Sequence, residues 1–198
     1  MNEIRQFFEN LAITWDESQP VDRNQILHNL LSIFDEKIRQ HGSILEVGTG
    51  TGALIPILSE RYPSVKVTSI DIAHNMLTRA KKRAPQAELT QCDIHQLPFL
   101  QDTFDIAICH NCFPHFCRQS FALLEIKRVT KKRGALLILH DISREHVNRV
   151  HTNAENEIIR DHILPEAKIL VERLKNVGFS TKLIQDSQSH FLIYANSN

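Results

Sequence analysis

ILEVGTGTGA, Ile44 to Ala53, is the stretch from which the rest of the chain can be read. SILEVG has the apolar run of a short buried strand, and its glycines stop it. The following ALIPILSERY reads as a helix, with Pro56 in its first turn, where a missing N–H is tolerated. A glycine-rich turn between strand and helix lets backbone N–H groups approach a ligand closely. Two spacings fit this turn. Gly48, Gly50 and Ala53 spell G-x-G-x-x-A, and Glu46, Gly48, Gly50 and Gly52 spell E-x-G-x-G-x-G.

Outward from this turn, strands and helices alternate. KVTSIDI, ELTQCDI, FDIAICHN and ALLILHDI read as strands, and HNMLTRAKKRA and SFALLEIKRVTKK as helices, the last ended by Gly134. A further helix is expected from Pro165 to Asn176. FSTKLIQD and SHFLIYA, joined by a short turn, have no helix between them and form a hairpin. Before the first strand, IRQFFENLAITW and residues 24–40 carry apolar residues at helical spacing. The fold class is therefore α/β: a doubly wound, Rossmann-like, seven-stranded and mostly parallel sheet with a C-terminal antiparallel hairpin and an N-terminal helical extension. One domain spans 1–198. It divides into a helical cap (1–41), a cofactor-binding core (42–142), a substrate-side insert (143–165) and a terminal helix and hairpin (166–198). Ligands in such sheets bind beyond the carboxyl ends of the strands.

Composition narrows the function classes. The 198 residues carry 23 basic and 23 acidic side chains, so no overall field favours nucleic acid or an anionic membrane. The basic run KRVTKKR reads as a solvated helix end. No apolar run approaches membrane-spanning length, and the N-terminus has no secretory pattern. Four cysteines, three of them bunched in CHNCFPHFC (Cys109 to Cys117), do not suggest a disulfide framework, and a cytoplasmic setting is expected.

Glu46 separates the two readings of the turn. A dinucleotide would bring an anionic pyrophosphate toward this carboxylate, whereas S-adenosylmethionine brings a sulfonium and an ammonium. Asp71, at the end of the second strand, can accept ribose hydroxyls from either cofactor. Asp93, after the third, can accept a hydrogen bond from an adenine amino group.

Together these stretches resemble the class I S-adenosylmethionine-dependent methyltransferases over nearly the whole chain. ILEVGTGTG, IDIAHNML, QCDIHQLPF, FDIAICHNCF and EIKRVTKKRGALLIL look like their five motifs. FFENLAITWDE is similar to the cap helix of small-molecule members of the ubiquinone/menaquinone-biosynthesis type. The resemblance implies S-adenosylmethionine as cofactor. Glu46 and the backbone of Gly48 would hold its methionine end and Asp71 its ribose, with Gly50 and Gly52 also cofactor-binding. Ile72 and Met76 would flank the adenine, and Asp93 and Ile94 would recognise its edge. His110 and Asn111 would line the sulfonium, and Trp15 or Phe8 would close over the cofactor.

The fourth motif reads HNCFPHF, which departs from the pattern of amino-group nucleic-acid enzymes. A small-molecule acceptor, no nucleic acid or membrane partner, and a monomer or homodimer are expected. His115, His140 and His146 are the candidate general bases, since imidazole titrates near neutral pH. The long insert HDISREHVNRVHTNAENEIIRDHILP exceeds ordinary connections and is expected to form a lid helix or a catalytic segment. The histidines and cysteines could supply soft metal ligands, but their spacing meets no zinc pattern, and no metal is assigned. A nicotinamide oxidoreductase and a non-catalytic cofactor- or metal-binding module are the alternatives.

Overall fold

Both faces of the central strands are apolar, and each face carries its own layer of helices. The computed structural model describes residues 2–40 and 42–198; Met1 and His41, at the ends of the expected cap, lie outside the described residues. Its single sheet contains β1 (Ser43–Val47), β2 (Lys66–Asp71), β3 (Glu88–Gln91), β4 (Phe104–His110), β5 (Thr130–His140), β6 (Phe179–Asp186) and β7 (Phe191–Ser197). The strand order is β3-β2-β1-β4-β5-β7-β6. β1 to β5 run parallel, and β7 is antiparallel to both β5 and β6. The chain leaves β1 to one side for β2 and later returns to its other side for β4. The crevice at this reversal, beyond the strands' carboxyl ends, is where such sheets bind ligands.

Alternation along the strands sorts the core into two layers. Leu45, Val47, Ala107, Cys109, Leu136 and Ile138 face α6 (Gln119–Val129) and α9 (Ala167–Asn176), meeting Leu123, Ile126, Leu170 and Leu174. Ile44, Ile106, Ile108, Leu137 and Leu139 face the other way. They meet α2 (Arg23–Ser32), α3 (Asp35–Arg39) and α4 (Leu54–Arg61) through Leu27, Leu31, Ile38, Leu54 and Leu58. Each such fully buried leucine, isoleucine or valine contributes about 1.5–3 kcal/mol.

The structure corrects several element boundaries. The helix expected over 24–40 is broken into α2 and α3 by a turn at Ile33 and Phe34, where Phe34 N–H donates to the Leu31 carbonyl. α6 stops at Val129, so Thr130 to Lys132 belong to β5 rather than to a helix. Pairing of Thr130 with Phe104 overrides local propensity there. Gly134 therefore does not end a helix; it lies inside the strand, where β5 shifts register against β4.

Two additions position the site. α1 (Asn2–Leu11) lies against α5 (His74–Arg83), where the Glu9 carboxylate accepts N–H bonds from His74 (2.8 Å) and Asn75 (2.7 Å). This supplies the helix N-terminus with the acceptor that its own N-cap position, Ala73, lacks. The insert after β5 folds into α7 (Arg144–Thr152) and α8 (Glu157–Arg160). Ser143 caps α7 by accepting from His146 N–H, and the Asn148 side chain clamps both the N–H and carbonyl of Leu164. Among the described residues, no helix is long and apolar enough to cross a membrane.

Candidate active site

The glycine turn after β1 opens onto a cleft of about 890 Å³. Gly48 has a left-handed φ of 65°, and a Cβ there would come within 2.5 Å of the Cys112 Cβ, so only glycine lets β1 approach the turn after β4. Gly50 also has positive φ, but a Cβ there would meet only the Trp15 indole nitrogen, at 3.8 Å. It lines the cleft with space beside its Cα, and its N–H is engaged by Asp71. A latch holds the turn from outside. Thr51 donates to Asp16 (2.6 Å), and Arg83 bridges Asp16 and the Thr51 carbonyl. This fixes the short 3-10 turn Trp15–Ser18 beside the cleft.

Asp71 closes β2 and lines the cleft. Its two carboxylate oxygens accept from Gly50 N–H (2.8 Å) and Ala73 N–H (2.9 Å). Burial raises its pKa to about 6 despite these bonds. Glu46 is placed differently from the expectation. It lies beneath the turn, does not line the cleft, and accepts a short hydrogen bond from Ser69. Burial raises its pKa to about 7. Asp93 accepts from His95 through both the backbone N–H (2.9 Å) and ring Nδ1 (2.6 Å), while His95 Nε2 accepts from Arg118 N–H. These bonds fix His95 as the Nδ1–H tautomer. Apolar side chains of Ile72, Met76 and Ile94 complete this side.

On the β4 side, His110 and Asn111 line the cleft and are tied to Asp141. Asn111 Nδ2 donates to Asp141 (2.6 Å), Asp141 N–H donates back to Asn111, and His110 Nε2 lies 3.3 Å from the carboxylate. Asn111 adopts a φ of 51°, a conformation that asparagine tolerates better than most residues. Arg23 reaches the same carboxylate at 3.0 Å. Burial opposes the charge of Asp141, but the His110 bond, Arg23 and Asn111 outweigh it and hold the carboxyl well below its usual range. Among the described residues, Arg23 is the only lysine or arginine lining the cleft.

The 3-10 turn Phe113–His115 carries His115 to the cleft wall. Its Nδ1 lies 3.1 Å from His162 Nδ1, its ring is 4.9 Å from that of His151, and the edge of Phe8 meets it at 5.0 Å. Burial, together with neighbouring His151, His162 and His140, lowers its pKa well below the imidazole norm. The ring is therefore neutral and keeps a lone pair.

The other candidate bases are elsewhere. His140 is buried behind the cleft, and burial first and His110 second lower its pKa to about 3. His146 is exposed on α7 beside Arg149. Gly52 packs against Ala80 rather than lining the cleft. Trp15, Gly48, Gly50, Asp71, Ile72, Met76, Asp93, Ile94, His110, Asn111 and His115 do line it.

Of CHNCFPHFC, Cys109 and Phe113 are buried in the core. Cys112 lines the cleft, and its thiol donates to the Val47 carbonyl. Burial pushes the Cys92 thiol up to about 12 and the Cys112 thiol well above the ordinary range, so neither is a thiolate nucleophile. Among the described residues, no group of three or more histidine, cysteine or acidic side chains is arranged to hold a metal. Arg23, His95, His162 and Glu9 are site components that the sequence did not single out. Arg23, His162 and Glu9 meet partners far away in the chain, and no local motif marks them, whereas His95 lies inside QCDIHQLPF, two residues from its partner Asp93.

Residues 45–138 match the family described as methyltransferase domain. The chain is 32% identical over 117 residues to a demethylmenaquinone methyltransferase of Thermotoga maritima, covering 59% of this chain and 48% of that protein. It is 29% identical over 208 aligned positions to a malonyl-[acyl-carrier protein] O-methyltransferase of Halorhodospira halophila, covering 97% and 66%. Across most of the curated relatives it matches, the chain spans about half of their length. A solved SAM dependent methyltransferase from Aquifex aeolicus superposes with a TM-score of 0.75 at 19% identity, over 94% of this chain and 98% of that one.

Proposed function

We propose that this chain, a class I S-adenosylmethionine-dependent methyltransferase by its domain and fold, transfers a methyl group to a small-molecule acceptor. The observation that carries the cofactor assignment is the charge of the cleft. Among the described residues, two carboxylates, Asp71 and Asp93, line it, and the one guanidinium that does so, Arg23, is paired with Asp141. A pyrophosphate would find no unpaired lysine or arginine there among the described residues, whereas a ligand bearing a sulfonium and an ammonium is favoured. The space beside the Gly50 Cα and the apolar walls of Ile72, Met76 and Ile94 fit an adenosyl group. When bound, S-adenosylmethionine supplies an activated methyl carbon.

The chain's own residues hold, enclose and deprotonate. Asp71 has lone pairs left for ribose hydroxyls, and Asp93 and Ile94 lie at the adenine end. His110 and Asn111, held by Asp141, line the cleft on the β4 side. Ile4, Phe8 and Trp15 lie over the opening and exclude water. His115, neutral and at the wall, is the base for an acceptor that must lose a proton. His140 and His146 have no part in this reading, because neither reaches the cleft.

Isothermal calorimetry tests the cofactor assignment. Binding of S-adenosylmethionine and S-adenosylhomocysteine, with no heat from a nicotinamide dinucleotide, is expected. Tight nicotinamide binding without either sulfur compound overturns it. A panel of small phenols, acids, amines and thiols, read by release of S-adenosylhomocysteine, then identifies the acceptor class.

A further inference from the structure

Beside the cleft lies a second, more open groove of about 1090 Å³ that shares Phe116 and Cys117 with it and includes Asp161 and His162. His115 belongs to the cleft and His162 to the groove, and their Nδ1 atoms are 3.1 Å apart. Two ring nitrogens at this distance need one proton between them, so one ring carries Nδ1–H and the other presents an Nδ1 lone pair. Both rings cannot carry Nδ1–H at once without breaking the contact.

Two further constraints hold the pair. His151 Nδ1 donates to the His162 carbonyl, which fixes His151 as the Nδ1–H tautomer and holds the His162 backbone. Asn148 clamps Leu164, two residues further along. The titratable groups facing His115 are His162, His151 and His140, and Asp161 is the acid nearest His162.

We propose that His162 is a positioning residue that sets the tautomer of His115 and passes its proton from the cleft to solvent in the groove. The proposal rests on the reading of His115 as the base. With His115 Nδ1–H donating to His162, Nε2 of His115 keeps its lone pair for the acceptor. As the acceptor X–H bonds to the methyl carbon, its proton goes to His115 Nε2. The Nδ1 proton moves to His162 Nδ1, and the Nε2 proton of His162 leaves to water. One proton leaves X–H and one enters the groove. Both rings end as the opposite tautomers and are reset by exchange with water after product release. A protein wall thus separates a water-excluding reaction site from the solvent that receives the proton.

The test needs no acceptor. Multiple-bond 1H–15N NMR of the whole chain, alone and with S-adenosylhomocysteine, reads the tautomer and titration of each ring between about pH 5 and pH 8. The expected result is His115 as Nδ1–H, His162 as Nε2–H, and uptake of one proton by the pair where two isolated imidazoles would take two. His162→Gln keeps an acceptor for His115, so the His115 tautomer is retained. His162→Phe removes the acceptor, and His115 becomes a mixture of tautomers. Two independent titrations overturn the proposal, as does His115 as Nε2–H or unchanged His115 behaviour in His162→Phe. If His162→Phe fails to fold, the wild-type spectrum and His162→Gln still decide. Because the calorimetric test of the cofactor reads neither ring, failure of the relay and failure of the cofactor assignment are separate results.

Discussion

The two walls of the cleft are built by different means. On the β1–β2 side the chain uses main chain: Gly48 and Gly50 are in left-handed conformations, and both oxygens of Asp71 are engaged by backbone N–H groups. On the facing side it uses side chains from distant segments. His115 meets His151, His162 and Phe8, and Arg23 meets Asp141 across 118 positions. A main-chain wall tolerates little substitution and suits a ligand of constant shape. A side-chain wall can be re-furnished without disturbing the sheet, which suits acceptors that differ among proteins of one fold.

The largest expected effect breaks the main-chain wall. Gly48→Ala places a methyl group 2.5 Å from the Cys112 Cβ and forces a positive φ on alanine. Overpacking and strain together cost about 2–4 kcal/mol, or a fall in Tm of about 5–15 °C. Gly50→Ala has room for its methyl group, so its stability loss is about 1 kcal/mol, and its main effect is weaker S-adenosylmethionine binding. Thermal unfolding and calorimetry of both variants measure the split. Equal destabilisation by the two would remove the distinction between a packing glycine and a ligand-facing glycine in this turn.

A smaller effect sharpens the electrostatic side of the comparison. Burial raises Glu46 from 4.5 to about 7, so the folded state binds this proton more tightly than the unfolded chain does. The free protein therefore loses stability as pH rises from about 4.5 to about 7, and the full cost is present above that window. Glu46→Gln is expected to stabilise the free protein by about 1–3 kcal/mol at pH 8 and by much less at pH 5. Asp71, raised to about 6, adds a slope of the same sign. A cationic cofactor favours both ionised carboxylates, so S-adenosylmethionine affinity should rise between pH 5.5 and pH 8, by less in Glu46→Gln. An affinity independent of pH would mean that these carboxylates do not sense the bound charge.

The two walls also differ in how far they could be read from the sequence. ILEVGTGTGA, Asp71 and Asp93 are local signals, because a strand end, a glycine turn and an acid follow one another along the chain. Strand alternation and glycine conformation act over a few residues, so the parallel sheet, the turn and the positions of Asp71 and Asp93 at the cleft were legible, but Glu46 lies beneath the turn and Gly52 packs against Ala80. The His115–His162 contact joins residues 47 apart, and nothing near His162 distinguishes it from His146, which the fold leaves exposed on α7. His140 sits next to Asp141 in the chain, yet strand alternation buries it behind the cleft while Asp141 reaches His110 and Arg23. Thr130 to Lys132 failed as a helix for a related reason: Phe104, the pairing partner of Thr130, is a tertiary neighbour that local propensity cannot register.

The smallest expected effect concerns the cap that joins the two walls. α1 meets α5 through Glu9 and meets His115 through Phe8, so one helix spans both sides of the opening. The Glu9 carboxylate supplies both acceptors at the α5 N-terminus, and Asn75 returns a side-chain bond to the Glu9 carbonyl. Glu9→Gln keeps the shape but removes the charge and leaves one amide oxygen to serve two N–H groups. A loss of about 1 kcal/mol is expected, on the scale of a helix cap. Because α1 covers the cleft, that loss should appear both as a fall in Tm of about 2–4 °C and as faster dissociation of S-adenosylhomocysteine, about fivefold by the same energy. Stopped-flow displacement measures it. If dissociation is unchanged while Tm falls, Glu9 serves the fold alone, and the cap does not retain the ligand. If dissociation quickens and His115 keeps its tautomer, the cap retains the ligand on the main-chain side without setting the chemistry on the other.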